Sequence, residues 1–449
     1  MTQALVDYYK FPAHFLPCIK STPVDNSGTV GFFQFGDGNV CYGSCRAGVV
    51  SSPAESANCR ADLHVRREGS ALQFPFDFAE VIDNLRMERY TSALPSARQA
   101  LVGSEFVHRF YYFFRRCLPP SLRRQLQRAY FHDLERLQFP SWPVDFTVDR
   151  LHESYLRLLM QVGGLQKLPF IWFWPDGAPN CLIMTHDVET SAGRNFSSQL
   201  MDIDDSFGIK ASFQVIPEMR YAVPKSYLNE ITTRGFELNV HDLNHDGNLY
   251  RDRSEFLRRA AKINSYVREY QARGFRAGAM YRNLEWYDVF EFSYDMSVPN
   301  VAHLEPMRGG CCTVMPYFVG RILELPVTAA QDYSVFHILN DTSLELWRRQ
   351  LALLREGSGL MSFIVHPDYM IGSKVRKGCE TLFTYLRELI DKARIWHALP
   401  GDVDLWWRAR SEMQLVPKGS SWEIVGPESA RARVAYAVLD GGQIRYELA

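Results

Sequence analysis

Short apolar runs alternate with amphipathic stretches through the second half of the chain, and that rhythm predicts its architecture. Cys181-Leu182-Ile183-Met184, Ala211-Ser212-Phe213-Gln214-Val215-Ile216 and Phe236-Glu237-Leu238-Asn239-Val240 read as strands. So do a segment entered at Phe275, another ending at Asp295, and the runs Ile322-Leu323-Glu324-Leu325-Pro326-Val327 and Leu360-Met361-Ser362-Phe363-Ile364-Val365. Residues 254–272, with Ser254 as N-cap and Gly274 beyond the end, read as a helix, as do residues 344–355. Repeated β–α units predict an α/β fold, an irregular (β/α) barrel with parallel strands.

The flanks differ in pattern. Residues 1–75 are rich in Gly, Ser, Pro and aromatics, with Gly31 to Gly36 and Val40 to Gly43 as short strands around a Gly-Asp-Gly turn. Residues 76–170 read as helical, beginning with the 3.6-period spacing of Phe78, Val81, Ile82 and Leu85. The barrel is assigned to residues 171–412, closed by a helix from Asp402 to Arg410, and residues 413–449 to a small β appendage with Gly441-Gly442 between two strands. Within the helical region, residues 106–137 combine aromatics with Arg115, Arg116, Arg123, Arg124 and Arg128. They read as a solvated helix face, with contact to an anionic lipid surface or a phosphate-bearing substrate as the alternative.

Composition narrows the classes. Lys plus Arg is 50 against 51 for Asp plus Glu, so no basic balance marks a nucleic-acid binder. The start, MTQALVDYYKFPAHF, has no basic region followed by a long apolar run, and no apolar stretch is long enough to span a bilayer. A cytoplasmic location is expected, with peripheral membrane contact open. The nine cysteines are scattered, with three residues between Cys41 and Cys45 and an adjacent Cys311-Cys312, so they read as reduced buried thiols.

The candidate chemistry lies where apolar strands end. Thr185-His186-Asp187-Val188-Glu189 and His241-Asp242-Leu243-Asn244-His245 put two carboxylates and two imidazoles at tight spacing. Two imidazoles and a carboxylate are a frequent set around catalytic zinc, which keeps a position open. The second carboxylate would be free as a base. A helical turn after the strand would put His241 and His245 on one face. Asp242 and Asp246 read as supporting or solvated groups, and His186, His303 and His337 as structural. In β/α barrels chemistry gathers at the C-terminal strand ends, which suits Asp187, His241, Arg276 and His366.

This order resembles the polysaccharide deacetylase family, also called the NodB homology domain or carbohydrate esterase family 4, over roughly residues 175–400. The carrying motifs are Thr185-His186-Asp187-Val188-Glu189, His241-x-x-x-His245, Gly274-Phe275-Arg276-Ala277-Gly278 and Ile364-Val365-His366. The resemblance implies that Asp187 is the base, that Glu189, His241 and His245 hold a divalent metal, most often Zn²⁺, that Arg276 orients the base and that His366 protonates the departing amine. Asp295 would pair with Arg276, either for function or as an ordinary ion pair. Three positions depart from the family. Val188 stands where the metal carboxylate is expected, which leaves the roles of Asp187 and Glu189 open to exchange. Ala279 replaces a tyrosine, and the family's fourth-motif tryptophan has no match. The implied activity is hydrolytic removal of an N-acyl group from a sugar or glycan precursor. The alternatives are a non-catalytic glycan or nucleotide-sugar binder on the same scaffold, or a hydrolase of a lipid-linked or non-sugar amide.

Overall fold

The computed structural model describes residues 2–15, 29–68, 71–94 and 139–449. The basic aromatic stretch at 106–137 lies outside the described residues.

Nine strands make one curled sheet: β1 (Cys181–Val188), β2 (Ala211–Val215), β3 (Glu237–His241), β4 (Gly274–Arg276), β5 (Tyr294–Asp295), β6 (Tyr317–Val319), β7 (Ile322–Glu324), β8 (Leu360–Ile364) and β9 (Trp396–His397). Their order is β6-β7-β5-β4-β3-β2-β1-β8, with β9 on the first residues of β1. All pairings are parallel except that of β6 with β7. The edges meet through irregular backbone after β7, where Ala329 N–H donates to Ser362 O at 3.1 Å and the Thr328 hydroxyl to Leu360 O at 2.7 Å. The fold is therefore the expected α/β barrel, irregular at its seam.

Helices α1 (Ser191–Ser206), α2 (Lys225–Thr233), α3 (Arg253–Glu269), α4 (Glu345–Glu356) and α5 (Ser373–Ala393) connect the strands. They explain why the strands read as apolar runs: a parallel sheet is covered on both faces, and all eight residues of β1 are buried. Two boundaries differ from expectation. β1 continues through Asp187 and Val188, so the first motif lies on the strand itself. The N-cap of α3 is Asp252, whose Oδ1 accepts from Glu255 N–H at 2.9 Å; Ser254 is two residues further in and donates its hydroxyl to the same oxygen.

Before the barrel, strands at Val30–Phe35 and Asn39–Ser44 form the predicted hairpin. Gly36 at φ +67° turns it, and any Cβ there would meet Ser154 Oγ at 2.8 Å. The helix Phe78–Arg86 is capped by Asp77. Residues 167–170, counted above with the helical region, form with Ile171 a strand, Lys167–Ile171, that pairs with Val434–Asp440 from the C-terminal hairpin. One apolar cluster runs from Leu5 and Phe32 through the barrel to Ala437. Arg282, in the loop after β4, makes a bidentate pair with Glu88, at 2.5 Å for both contacts, and Glu88 also accepts from Gly310 N–H at 2.6 Å.

At the N-terminal end of the strands, Glu237 accepts from Asn239 at 2.6 Å, from Gly401 N–H at 2.8 Å and from the Tyr294 hydroxyl. Burial pushes its carboxyl up from 4.5 to about 7. The folded state thus holds this proton more tightly, so stability should fall as pH rises from about 4.5 through 7 and level off above. Urea unfolding of Glu237→Gln should lack that component of the slope. An identical pH dependence in the two proteins would contradict it.

Candidate functional site

Side chains alternate across a strand, so residues 185, 187 and 189 share one side of β1 and its continuation, and 186 and 188 the other. Thr185 and Asp187 face Arg276 inside the barrel, whereas the His186 ring packs outward, with Nε2 2.9 Å from Asp204 of α1. Val188 is buried with the apolar residues. Glu189, just past the strand end, turns back to the side of Asp187: its Oε1 is 3.0 Å from His245 Nε2 and 3.8 Å from His366 Nε2.

Asp187 Oδ1 accepts from Arg276 Nη1 at 2.7 Å, and Oδ2 lies 3.8 Å from His241 Nε2. Arg276 is wholly buried, and also donates to the Thr185 hydroxyl at 2.8 Å and to Met296 O at 2.9 Å. Burial pushes the Asp187 carboxyl up, but Arg276, then His241 and His366, outweigh it and hold it below the ordinary range. Glu189 is likewise raised by burial and lowered further by His245, His366 and His241, to a net value below the ordinary range. Both carboxylates are charged at neutral pH.

His241 Nδ1 donates to Arg276 O at 3.0 Å. A carbonyl can only accept, so the neutral ring carries its hydrogen on Nδ1 and presents a bare lone pair at Nε2. That atom is buried with no hydrogen-bond partner among the described residues. His245 Nε2 also lacks a hydrogen-bond partner and stands 3.0 Å from Glu189 Oε1, but its Nδ1 is met at 3.3 Å by Arg220 Nη2, which can only donate. Two unpartnered buried ring nitrogens facing a carboxylate suit a cation better than each other. Ligand atoms of Glu189, His241 and His245 all lie within 4.8 Å of one another. The donor set therefore fits a divalent ion.

The segment joining the two histidines is not a helical turn. Asp242 and His245 take positive φ, +55° and +54°, and the loop folds both rings to one place, with centroids 4.9 Å apart. Gly278 makes room for this, because a Cβ there would lie 2.5 Å from Asp242 Oδ2 and 3.0 Å from the His245 ring.

Across the mouth, His366 Nδ1 is 2.6 Å from Asp332 Oδ1, and its backbone N–H donates to Asp332 Oδ2 at 2.8 Å. Burial alone would push the imidazole down. Asp332, then Glu189 and Asp187, more than reverse this and hold it up at about 10. The Tyr369 ring lies 5.0 Å from His366 and 5.6 Å from Tyr333.

Asp295 is a correction. It does not meet Arg276, whose Nε is taken by the carbonyl of the next residue, Met296. Its oxygens accept from the Tyr287 hydroxyl at 2.8 Å, from Ser297 N–H at 3.1 Å and from the Ser297 hydroxyl at 2.7 Å. Ser297 Oγ in turn accepts from Ala277 N–H, so Asp295 braces the loop after Arg276 and is two contacts removed from the site. Asp332 was missed, and Thr185 was read only as part of the motif. Asp332 stands before the helical turn Tyr333–Leu339, where an aspartate reads as a cap, and nothing local ties it to His366.

No protein-family model and no curated protein matches this chain. Solved structures do resemble it. A protein assigned as a polysaccharide deacetylase, from Mycobacterium smegmatis, is 19% identical over 56% of this chain and 98% of its own, with a TM-score of 0.44. One assigned to the same activity in O-antigen biosynthesis, from Bordetella bronchiseptica, is 17% identical over 52% of this chain and 86% of its own, at 0.33. A pseudoenzyme of carbohydrate esterase family 4, from Bacillus anthracis, is 13% identical over 51% of this chain and 66% of its own, at 0.31.

Proposed function

We propose that this protein is a metal-dependent hydrolase that removes an N-acyl group from a sugar or glycan precursor. The observation that carries the reading is the placement, around one mouth of the barrel, of an arginine-held carboxylate, a Glu-His-His donor set and a carboxylate-held imidazole. Glu189, His241 and His245 would hold the ion, and Asp187, which lies outside that group, would be the base. When bound, a divalent ion would polarise the acyl carbonyl and acidify the attacking water, which lets a base as weak as Asp187 accept its proton.

The chain's own residues supply the rest. Arg276 fixes Asp187 Oδ1 and leaves Oδ2 toward the site to take the proton. Water adds to the acyl carbon, the C–N bond breaks, and His366 gives its proton from Nε2 to the departing nitrogen. Asp332 serves that step by occupying Nδ1 and keeping the ring charged. Tyr369 beside His366, and Tyr333 beside Tyr369, offer aromatic faces on which a sugar ring can rest. The amide alternative without a sugar rested on residues 106–137 and gains no support from the described ones.

The test joins acetate or formate release from N-acyl sugars to metal analysis. Glu189→Gln is expected to lower bound metal at least tenfold together with activity. Unchanged stoichiometry would exchange the roles of Glu189 and Asp187, and sugar binding without release by the metal-loaded wild type would favour the non-catalytic binder. Asp332→Asn should move the alkaline limb of the pH–rate profile to lower pH, because the imidazole loses the main group that keeps it charged. An unmoved limb would remove His366 from the role of acid.

A further inference from the structure

The two histidines of the donor set are held in opposite ways. His241 gives its one ring N–H, at Nδ1, to a carbonyl, the arrangement that strengthens a metal ligand. His245 instead faces a cation. Arg220, from the loop after β2, donates through Nη2 to His245 O at 2.6 Å and to His245 Nδ1 at 3.3 Å, and through Nε to Asn244 O at 3.2 Å. Among the described residues no carboxylate pairs with this guanidinium, so its charge is not neutralised.

Resting on the metal site proposed above, we infer that Arg220 is a positioning residue that weakens the hold of His245 on the ion. Two effects point the same way. For Nε2 to offer a lone pair, the neutral ring must carry its hydrogen on Nδ1, where it meets the N–H of Arg220 donor against donor. The guanidinium charge also repels a dication on the other side of the ring. A third effect opposes them, because Arg220 anchors the two carbonyls of a loop whose His245 is in left-handed backbone. That anchor is worth little. Arg220 is exposed and Asn244 and His245 are half-buried, so water can replace its bonds. The same exposure screens the charge, so the direct donor clash at Nδ1 decides, and the ion is held tightly by Glu189 and His241 but loosely at His245, which makes it exchangeable.

The experiment is a Zn²⁺ competition titration against a chromogenic chelator with purified metal-free full chain, folding being checked by circular dichroism. Arg220→Met keeps the length of the side chain and removes the charge and donors. Its apparent Kd is expected to be about tenfold lower than that of the wild type, the scale on which groups behind a ligand tune affinity. Arg220→Lys keeps the charge and should stay near the wild type. Equal or weaker binding by Arg220→Met, or tightening by Arg220→Lys as well, would overturn the inference and leave the metal site standing. A wild type that binds no Zn²⁺ would instead overturn the site.

Discussion

Asp187→Asn is expected to lower turnover of an N-acyl sugar by about 10²- to 10⁴-fold, the range by which a positioned base accelerates proton transfer, while the ion stays bound. The substitution keeps shape. The amide oxygen can still accept from Arg276 and Thr185 still shares that guanidinium, so the network around Arg276 persists. What disappears is the charged oxygen near His241. Metal content should be unchanged, since Asp187 Oδ2 is 3.8 Å from His241 Nε2 and Asp187 is not among the converging donors. The pairing of the two readouts is what discriminates. Wild-type-like turnover would end the assignment of Asp187 as base, and loss of the ion alongside turnover would make it a ligand. Arg276 is buried and would be left with a neutral partner, so a moderate loss of stability is also expected. Activity should be measured well below the unfolding transition.

The largest effect on stability is expected away from the reacting groups, at Glu88→Ala. Glu88 and Arg282 bury a bidentate pair whose side chains are 7% and 1% exposed. Removing one partner of such a pair leaves an uncompensated charge and costs about 3–5 kcal/mol. Glu88 also takes the Gly310 amide, which would lose its acceptor. Denaturant midpoints should report the loss. Glu88→Met combined with Arg282→Met should recover much of it, because no charge is then stranded. A single substitution within 1 kcal/mol of wild type would show the pair to be solvated rather than buried. Activity should fall too, since Arg282 donates to Met280 O at 2.8 Å in the loop that follows Arg276.

The barrel was legible because parallel strands covered on both faces are nearly unbroken apolar runs, as β1, β2 and β8 are. The site was legible where its residues cluster locally at strand ends: Asp187 with Glu189, His241 with His245. What escaped depends on distant partners. The strand Lys167–Ile171 was split between the helical region and the barrel because the strand that completes it comes from the C-terminal hairpin. Asp332 reaches His366 from another loop across the seam of the barrel. A helical turn over 241–245 would have brought the two rings together, whereas positive φ at Asp242 and His245 and the bare Gly278 do so by another path. Asp295 illustrates the converse. It was placed correctly at a strand end, yet the backbone of its neighbour, not its carboxylate, reaches Arg276.

The side-to-side alternation of β1 also limits how its motif can drift. Because β1 runs on to the motif, a carboxylate moved from position 188 to 189 gains the inward side. The move carries its Cα about 3.3 Å further along the strand. A glutamate has one more carbon than an aspartate with which to lean back over that step. Strand length and side-chain length are thus exchangeable here: a strand that stops early suits adjacent short acids, and one that overruns suits a spaced pair whose outer member is long. Chains of this fold with an interrupted acidic pair should be read for how far the strand extends before the second acid is counted as lost.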